Sequence, residues 1–479
     1  MYSFRLNNIK SFVDSGSVEI KPITIFIGKN SSGKSSLVRF PIVLKQTIEE
    51  SISPLLFYGK YIDYGNYEDI VFNHNEKENV SFTLTISLED IKNTAKQNRF
   101  FFEDSIEDFL IFIGDEGYDD SKIHVSIEVG RQVTDRRFFG ELEIKKYEIK
   151  FDEKELFLVT KVDYNNYKTY TKNKLEKEFK VIFDGLTPRI LYQNLNKNEE
   201  KEWKENKETT NIRNLLRIVE MYVSSTVANI SYIGPFRRIP DRNYRYQEAN
   251  KLSISSDGSY TSELLASYYR RNDTRFFKRL NDWLADHLHI NIEVEDLKGG
   301  MYRIVVEDLQ TGVKNNIIDV GFGLSQVLPI IVQVLQGNQG RSGLGVINRR
   351  MDKLVKKFTI VEQPELHLHP YAQSNLADLF IMGANISPQN CFIVETHSEH
   401  LILRLRRRIL EGSISSEKVA IYYVEKDLDD KNGSIVKKLN IESNGDIKDW
   451  PADFFDQDYK EIMQINKLKA NMDKGDDEW

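Results

Sequence analysis

Hydrophobic and polar positions change their period along this chain, and the changes mark its elements. Residues 1–27 alternate as strands do, in YSFRLNNI and SVEIKPITIFI, and the second run is apolar enough for a central strand. From Ser35 the apolar positions of LVRFPIVLKQTIEES fall three and four apart, which predicts a helix. Between about 78 and 165 come the short alternating runs VSFTLTISL, KIHVSIEVG, GELEIKKYEIKF and ELFLVTKV. That density predicts an antiparallel sheet or meander rather than βαβ units. The stretch LNKNEEKEWKENKET (195–209) reads as a solvated loop or exposed helix. An amphipathic helix, NIRNLLRIVEMYVSSTVANI, and a strand and turn, SYIGPF, follow it.

Residues 261–289 are helical in period. IEVEDLKGGMYRIVVEDLQTGVKNNIIDV predicts a hairpin, turning at Gly299-Gly300 and again at Thr311-Gly312. The remainder alternates: helix near 324–337, strand 358–362, helix near 371–383, strand 391–396, helix 398–411, strand 418–424. Such alternation is the signature of a parallel α/β sheet. No internal repeat, low-complexity segment or long heptad run interrupts it.

Chemistry enters at the junction of the first central strand and the first helix. GKNSSGKS, Gly28 to Ser35, matches G-x-x-x-x-G-K-[ST] between a predicted strand and a predicted helix. From average residue frequencies the letters alone arise in roughly one chain in fifty of this length, so the flanking elements carry the reading. The glycines let successive N–H groups point inward as an anion nest at a helix N-terminus. Lys34 is placed to reach the β- and γ-phosphates, and the Ser35 hydroxyl to ligate Mg²⁺. A second apolar strand, FTIVE, ends in Glu362, where such sites hold the metal-associated acid. A third, in CFIVETHSEH, runs into Thr396 and His397. In DVGFGLSQVLPIIVQVL two glycines and Ser325 open an apolar helix, a second anion-binding helix start, with Pro329 read as lying near its first turn.

Composition narrows the setting. The chain has 479 residues, room for several structural units, and its 40% apolar and 29% charged residues are ordinary for a soluble protein. No apolar run approaches the ~18–20 residues that span a bilayer, and the start has no apolar signal region. The lone Cys391 rules out an intrachain disulfide framework and fits a reducing, cytoplasmic setting. A net charge of −7 leaves any nucleic-acid contact to a local basic face.

Taken together, GKNSSGKS, GFGLSQ, VEQPELHLHP and ETHSEH resemble the ABC-type P-loop ATPases of the SMC, RecF and overcoming-lysogenization-defect group. With NGDIKDWPADFFD (444–456), the likeness is closest to stand-alone bacterial ATPases of two-gene anti-phage systems of the Septu, PARIS or retron-associated type. The resemblance covers about 1–75 and 230–456. It implies an α/β ATPase head with a mixed core sheet, an antiparallel β-rich insertion and a helical signature lobe. The expected division is 1–77 for the N-terminal part of the ATPase lobe and 78–230 for the insertion. Residues 231–425 then form its C-terminal part and 426–479 a C-terminal extension.

Carried over by position, the resemblance implies that Gly28, Lys29, Asn30, Ser31, Ser32, Gly33, Lys34, Ser35 and Ser36 cradle ATP, with Ser35 and Glu362 at the Mg²⁺. Gly321, Gly323, Ser325 and Gln326 act in trans on the nucleotide of a second protomer. Leu366, His367, Leu368 and His369 form the dimer-sensing D-loop, and His397 is the switch histidine. Gln363 stands where such ATPases carry a catalytic glutamate; an amide orients water but accepts no proton. Two readings stay open: Glu365 as surrogate base, or slow hydrolysis by positioning alone. A Q-loop glutamine is absent from GKYIDYGNYEDIVFN, leaving Glu68 or Asp69, and Lys10 and Phe12 fall near the nucleotide base.

The function implied is a homodimer, or an oligomer of dimers, that acts as sensor or regulator of a separate effector, a nuclease encoded nearby. DNA or a phage component is a further candidate partner, and no membrane is involved. After His397 the chain ends too soon for a C-terminal Toprim nuclease. A compact RecF-like repair ATPase is the alternative, as is a nucleotide-dependent scaffold without real turnover; the lack of heptad arms disfavours a chromosome-organising role. Three weaker signals remain. His367, His369, His397 and His400 with Glu362 and Glu365 have no closed metal-site spacing. Arg404, Arg406, Arg407 and Arg408 suit either a face paired with acids or a phosphate contact, and YIGPFRRIPDRNYRYQ suits stacking or a packed loop around Arg237 or Arg238.

Overall fold

A computed structural model of the chain describes residues 1–97, 106–113, 120–132, 141–163, 166–171, 180–191, 207–247, 254–336, 356–427, 433–451 and 461–467. Most of the charged stretch 195–209 and residues 452–456 lie outside the described residues.

Among the described residues, seven strands form the central sheet. Their spatial order is Ile230–Ile233, Lys357–Glu362, Asn390–Glu395, Ile23–Gly28, Val419–Lys426, Ser434–Ile441 and Ile447–Lys448. The first five run parallel; the sixth runs antiparallel to the fifth, and the seventh antiparallel to the sixth. All six residues of ITIFIG are buried, as a parallel strand covered on both faces requires. Ile23, Ile25 and Ile27 enter one core, shared with the helices Thr274–Leu288, Phe322–Leu335, Pro370–Ile386 and Glu399–Leu410. Phe26 enters the other, shared with Lys34–Glu50 and Lys207–Ala228. The carboxyl ends of the parallel strands therefore meet at one rim, where open α/β sheets bind ligands.

The β-rich segment forms the predicted meander. Phe12–Asp14, Ser3–Ile9, Val80–Ser87, Lys122–Arg131, Leu142–Phe151, Lys154–Asp163 and Asn166–Thr171 lie side by side in that order, with Val18–Glu19 on the outer side of Ser3–Ile9. The N-terminal strand pairs antiparallel with Val80–Ser87, so a boundary drawn at residue 77 runs through a continuous sheet. Alternation showed that YSFRLNNI is a strand; which sheet it joins is a long-range choice that its own residues do not encode. The hairpin closes as the pattern predicts, Ile290–Leu297 on Met301–Asp308, with Gly299 and Gly300 both left-handed at φ 80° and 72°.

One expectation needs correction. Pro329 lies in the interior of the helix Phe322–Leu335 rather than near its first turn, because the helix starts at Phe322. Its missing N–H leaves the Ser325 carbonyl without its intrahelical donor. The ring packs on Gly258, where an added Cβ would lie 2.7 Å from the proline Cγ and where φ is +73°. Gly258→Ala is therefore expected to cost about 1–3 kcal/mol of stability, read as a lowered urea midpoint at unchanged slope.

Candidate nucleotide site

The central strand ends at Gly28, whose φ of 146° and approach to the Val424 carbonyl leave no room for a Cβ, which would lie 2.1 Å from that oxygen. Ser31 and Gly33 are left-handed, at φ 57° and 95°, and this alternation curls the loop into a nest for an anion. Lys34 opens the helix and is buried; its Nζ donates to the carbonyls of Gly28 at 3.0 Å and Lys29 at 2.7 Å. Burial pushes its ammonium below the usual range. The Ser32 hydroxyl is buried without a partner. Asn30 to Ser36 line a cavity of about 770 Å³, whose other walls include Lys10, Asp69, His74, Gln363, Glu395 and His397. Lys426, at the end of the fifth strand, and Ser434, at the start of the sixth, also line it.

Two adjacent parallel strands bring acids to this rim, with Glu362 and Glu395 as register partners. Their surroundings differ. Glu362 is 2% exposed. Arg39 grips it in a fork, Nε to Oε1 and Nη2 to Oε2, both at 2.6 Å, and the Tyr232 hydroxyl donates to Oε1 at 2.7 Å. The Ser35 hydroxyl donates to Glu395 Oε1 at 2.9 Å, not to Glu362. Glu395 Oε2 is buried with no partner, and burial with the neighbouring Glu362 charge pushes the Glu395 carboxyl up to about 7.

Glu365 is also buried, and burial raises its carboxyl. One oxygen accepts from the Thr396 hydroxyl at 2.8 Å and the other from the His397 amide at 2.6 Å. It thus fastens the loop at Thr396 and His397, while Gln363 and His397 stand on the cavity wall. Gln363 adopts φ 44° and its amide donates to the Glu395 carbonyl at 2.7 Å. Burial, then Lys34, holds the His397 imidazole below its usual range.

The segment 319–326 lies elsewhere. Gly321 and Phe322 are exposed at the helix start, whereas Ser325 and Gln326 are buried. Ser325 Oγ donates to the Phe322 carbonyl at 2.7 Å, and Gln326 Nε2 to the Arg237 carbonyl at 3.3 Å. A Cβ on Gly323 would come within 2.8 Å of the His367 carbonyl, and the Phe322 ring meets His367 edge-on at 4.7 Å. The Leu366 N–H donates to the Gln363 carbonyl and the Leu368 N–H to the Glu365 carbonyl, shaping the 366–369 turn. His369 caps the next helix. Gly321, Gly323, Ser325 and Gln326 do not line the phosphate-loop cavity of their own protomer.

The weaker signals resolve as follows. Lys10 lines the cavity, its Nζ donating to the Tyr64 carbonyl at 2.6 Å, but Phe12 is fully buried and packs beneath Gly33. Asp69 is on the wall and also accepts from the Asn66 amide. Arg404 and Arg408 share Asp378, Arg407 and Arg408 share Glu411, and Arg406 binds Asp446 and the Gly445 carbonyl. That face is paired with acids. The buried Arg237 donates to the carbonyls of Glu362 and Gln363. Among the described residues, no group of three or more His, Cys, Asp or Glu side chains is gathered for a metal ion, and no helix is long and apolar enough to cross a membrane. Sequence reasoning missed Arg39, Tyr232 and Glu395. Glu395 was legible as a second acid at a strand end; the other two carry no local signal.

A family model described as an AAA ATPase domain (AAA_15) matches residues 1–402. A second, described as a protein of unknown function (DUF3696), matches residues 414–465. Among solved structures, the chain is similar to the SmcHead bound to the C-winged helix domain of ScpA, at 11% identity and a TM-score of 0.41, covering 92% of this chain and 98% of that one. It is also similar to the SMC head domain from Thermotoga maritima, with 11% identity, TM-score 0.38, and 92% and 98% covered. A third is the Smc head domain with an extended coiled coil bound to the C-terminal domain of ScpA derived from Pyrococcus furiosus. There the identity is 11%, the TM-score 0.39, and 97% and 99% are covered. No curated protein matches the chain.

The Arg39 fork makes a stability prediction. Arg39→Ala would leave the Glu362 charge buried with the Tyr232 hydroxyl as its remaining side-chain donor. A loss of about 3–5 kcal/mol is expected by chemical denaturation, and Arg39→Lys, without the fork, should recover part of it.

Proposed function

This chain belongs to the AAA ATPase domain family AAA_15, and on that premise we propose that it binds ATP with Mg²⁺ in the phosphate-loop cavity. Two copies close around the nucleotide, and the closed dimer regulates a separate cytoplasmic effector, a nuclease, in anti-phage defence. The observation that carries the binding step is the cavity itself. A nest-forming loop, a buried lysine and a metal-competent serine share one wall, and His397 and Gln363 stand on another. Gly321 and Phe322 are off that wall, at an exposed helix start. A second copy can supply them where this one does not. The paired arginines of the helix Glu399–Leu410 weigh against a DNA surface there. A nucleotide-held scaffold is the second reading, favoured by Gln363 on the wall and by Glu365 being committed to Thr396 and His397.

ATP binding and phosphate release by purified variants test this. Lys34→Ala is expected to abolish ATP binding, and normal binding by it would sink the assignment. Gln363→Glu should raise phosphate release ~100-fold by restoring a proton acceptor; no change would favour the scaffold. Dimerisation has its own test. Gly321 has open space where a side chain would go, so Gly321→Arg should fold and bind ATP yet remain monomeric in ATP and Mg²⁺ when wild type dimerises by light scattering. For the defence role, cells carrying this gene with its genomic neighbours should restrict phage, and Lys34→Ala should remove the restriction.

A further inference from the structure

We propose that Glu395, rather than the strand-end acid Glu362, is the carboxylate that holds Mg²⁺ together with Ser35, while Arg39 keeps Glu362 away from the metal. This rests on the reading that the cavity takes ATP with Mg²⁺. A hard cation of this size takes oxygen donors: one or two carboxylates, a hydroxyl, phosphate oxygens and waters. Ser35 is the hydroxyl, and the question is which carboxylate it shares the ion with.

Glu362 has little left to give. Both of its oxygens are engaged, by a bidentate guanidinium that neutralises its charge and by a phenol. It does not line the cavity. Glu395 does line it, is 4% exposed, and keeps one oxygen on Ser35 and the other buried with no partner. A buried, unpaired carboxylate oxygen is costly, and such an atom calls for an explanation. A cation or its bound water supplies the missing partner. The helix enforces the sorting. Ser35 and Arg39 are four residues apart and share a face, so the two side chains address the two adjacent strand ends, the hydroxyl facing Glu395 and the guanidinium facing Glu362.

The experiment is the affinity for ATP of the full chain, by calorimetry, with Mg²⁺ and with EDTA. For Glu395→Gln the gain from Mg²⁺ is expected to fall by about 10–100-fold, with affinity in EDTA unchanged. Glu362→Gln is expected to keep the gain. Ser35→Ala should lose it, and Ser35→Ala with Glu395→Gln should lose no more than either alone, because both act through one ion. That cycle decides the matter even if Glu362→Gln fails to fold. A full Mg²⁺ gain in Glu395→Gln, additive losses in the double variant, or loss of the gain in Glu362→Gln overturns the proposal. Absence of ATP binding by wild type in both conditions is a different failure, that of the proposed function.

Discussion

Three carboxylates are buried at the carboxyl ends of two neighbouring parallel strands, and the geometry of the rim follows from how each charge is met. Water cannot solvate them, so each must find donors in the protein or change its protonation. Glu362 takes a guanidinium fork and a phenol, and Glu365 takes a hydroxyl and a backbone amide. Glu395 takes one serine hydroxyl and is left short on its second oxygen. Like charges packed together raise the proton affinity of the least compensated member, and that member is Glu395, pushed up to about 7.

The same compensation ties separate parts of the chain into one unit. Arg39 joins the phosphate-loop helix to the strand Lys357–Glu362, and Tyr232 joins the edge strand to it. Glu365 fixes the start of the loop after Asn390–Glu395, and the Gln363 amide binds the Glu395 carbonyl. From there the turn at 366–369 carries the contact on. Its His367 carbonyl sits so close to Gly323 that no side chain fits between them. The cavity wall and the exposed start of the helix Phe322–Leu335 are thus linked through a few short, packed contacts rather than through a long lever.

Periodicity made the parallel core legible, because strands buried on both faces must read as unbroken apolar runs and the helices between them as three-and-four repeats. The phosphate loop was legible for a different reason. It needs glycine, lysine and a hydroxyl at fixed offsets within eight residues, so its chemistry is local. The acids were legible only as strand ends. Nothing within FTIVE or CFIVE says that Arg39, far away in sequence, will neutralise the first and leave the second to Ser35. Likewise YSFRLNNI announces a strand but not that its partner is Val80–Ser87. Local pattern specifies elements and motifs; the pairing of charges and strands is decided by packing across hundreds of residues.

That pairing also bears on proton transfer. Of the groups the sequence offered, Gln363 has no proton-accepting capacity, and both Glu365 oxygens already accept hydrogen bonds, from the Thr396 hydroxyl and the His397 amide. Glu365 also does not line the cavity, and its bonds to Thr396 and the His397 amide hold the start of the loop that presents His397. His397 itself is on the wall, and burial with the nearby Lys34 keeps its imidazole neutral over a wider pH range than an exposed histidine. A neutral imidazole can accept a proton or a hydrogen bond.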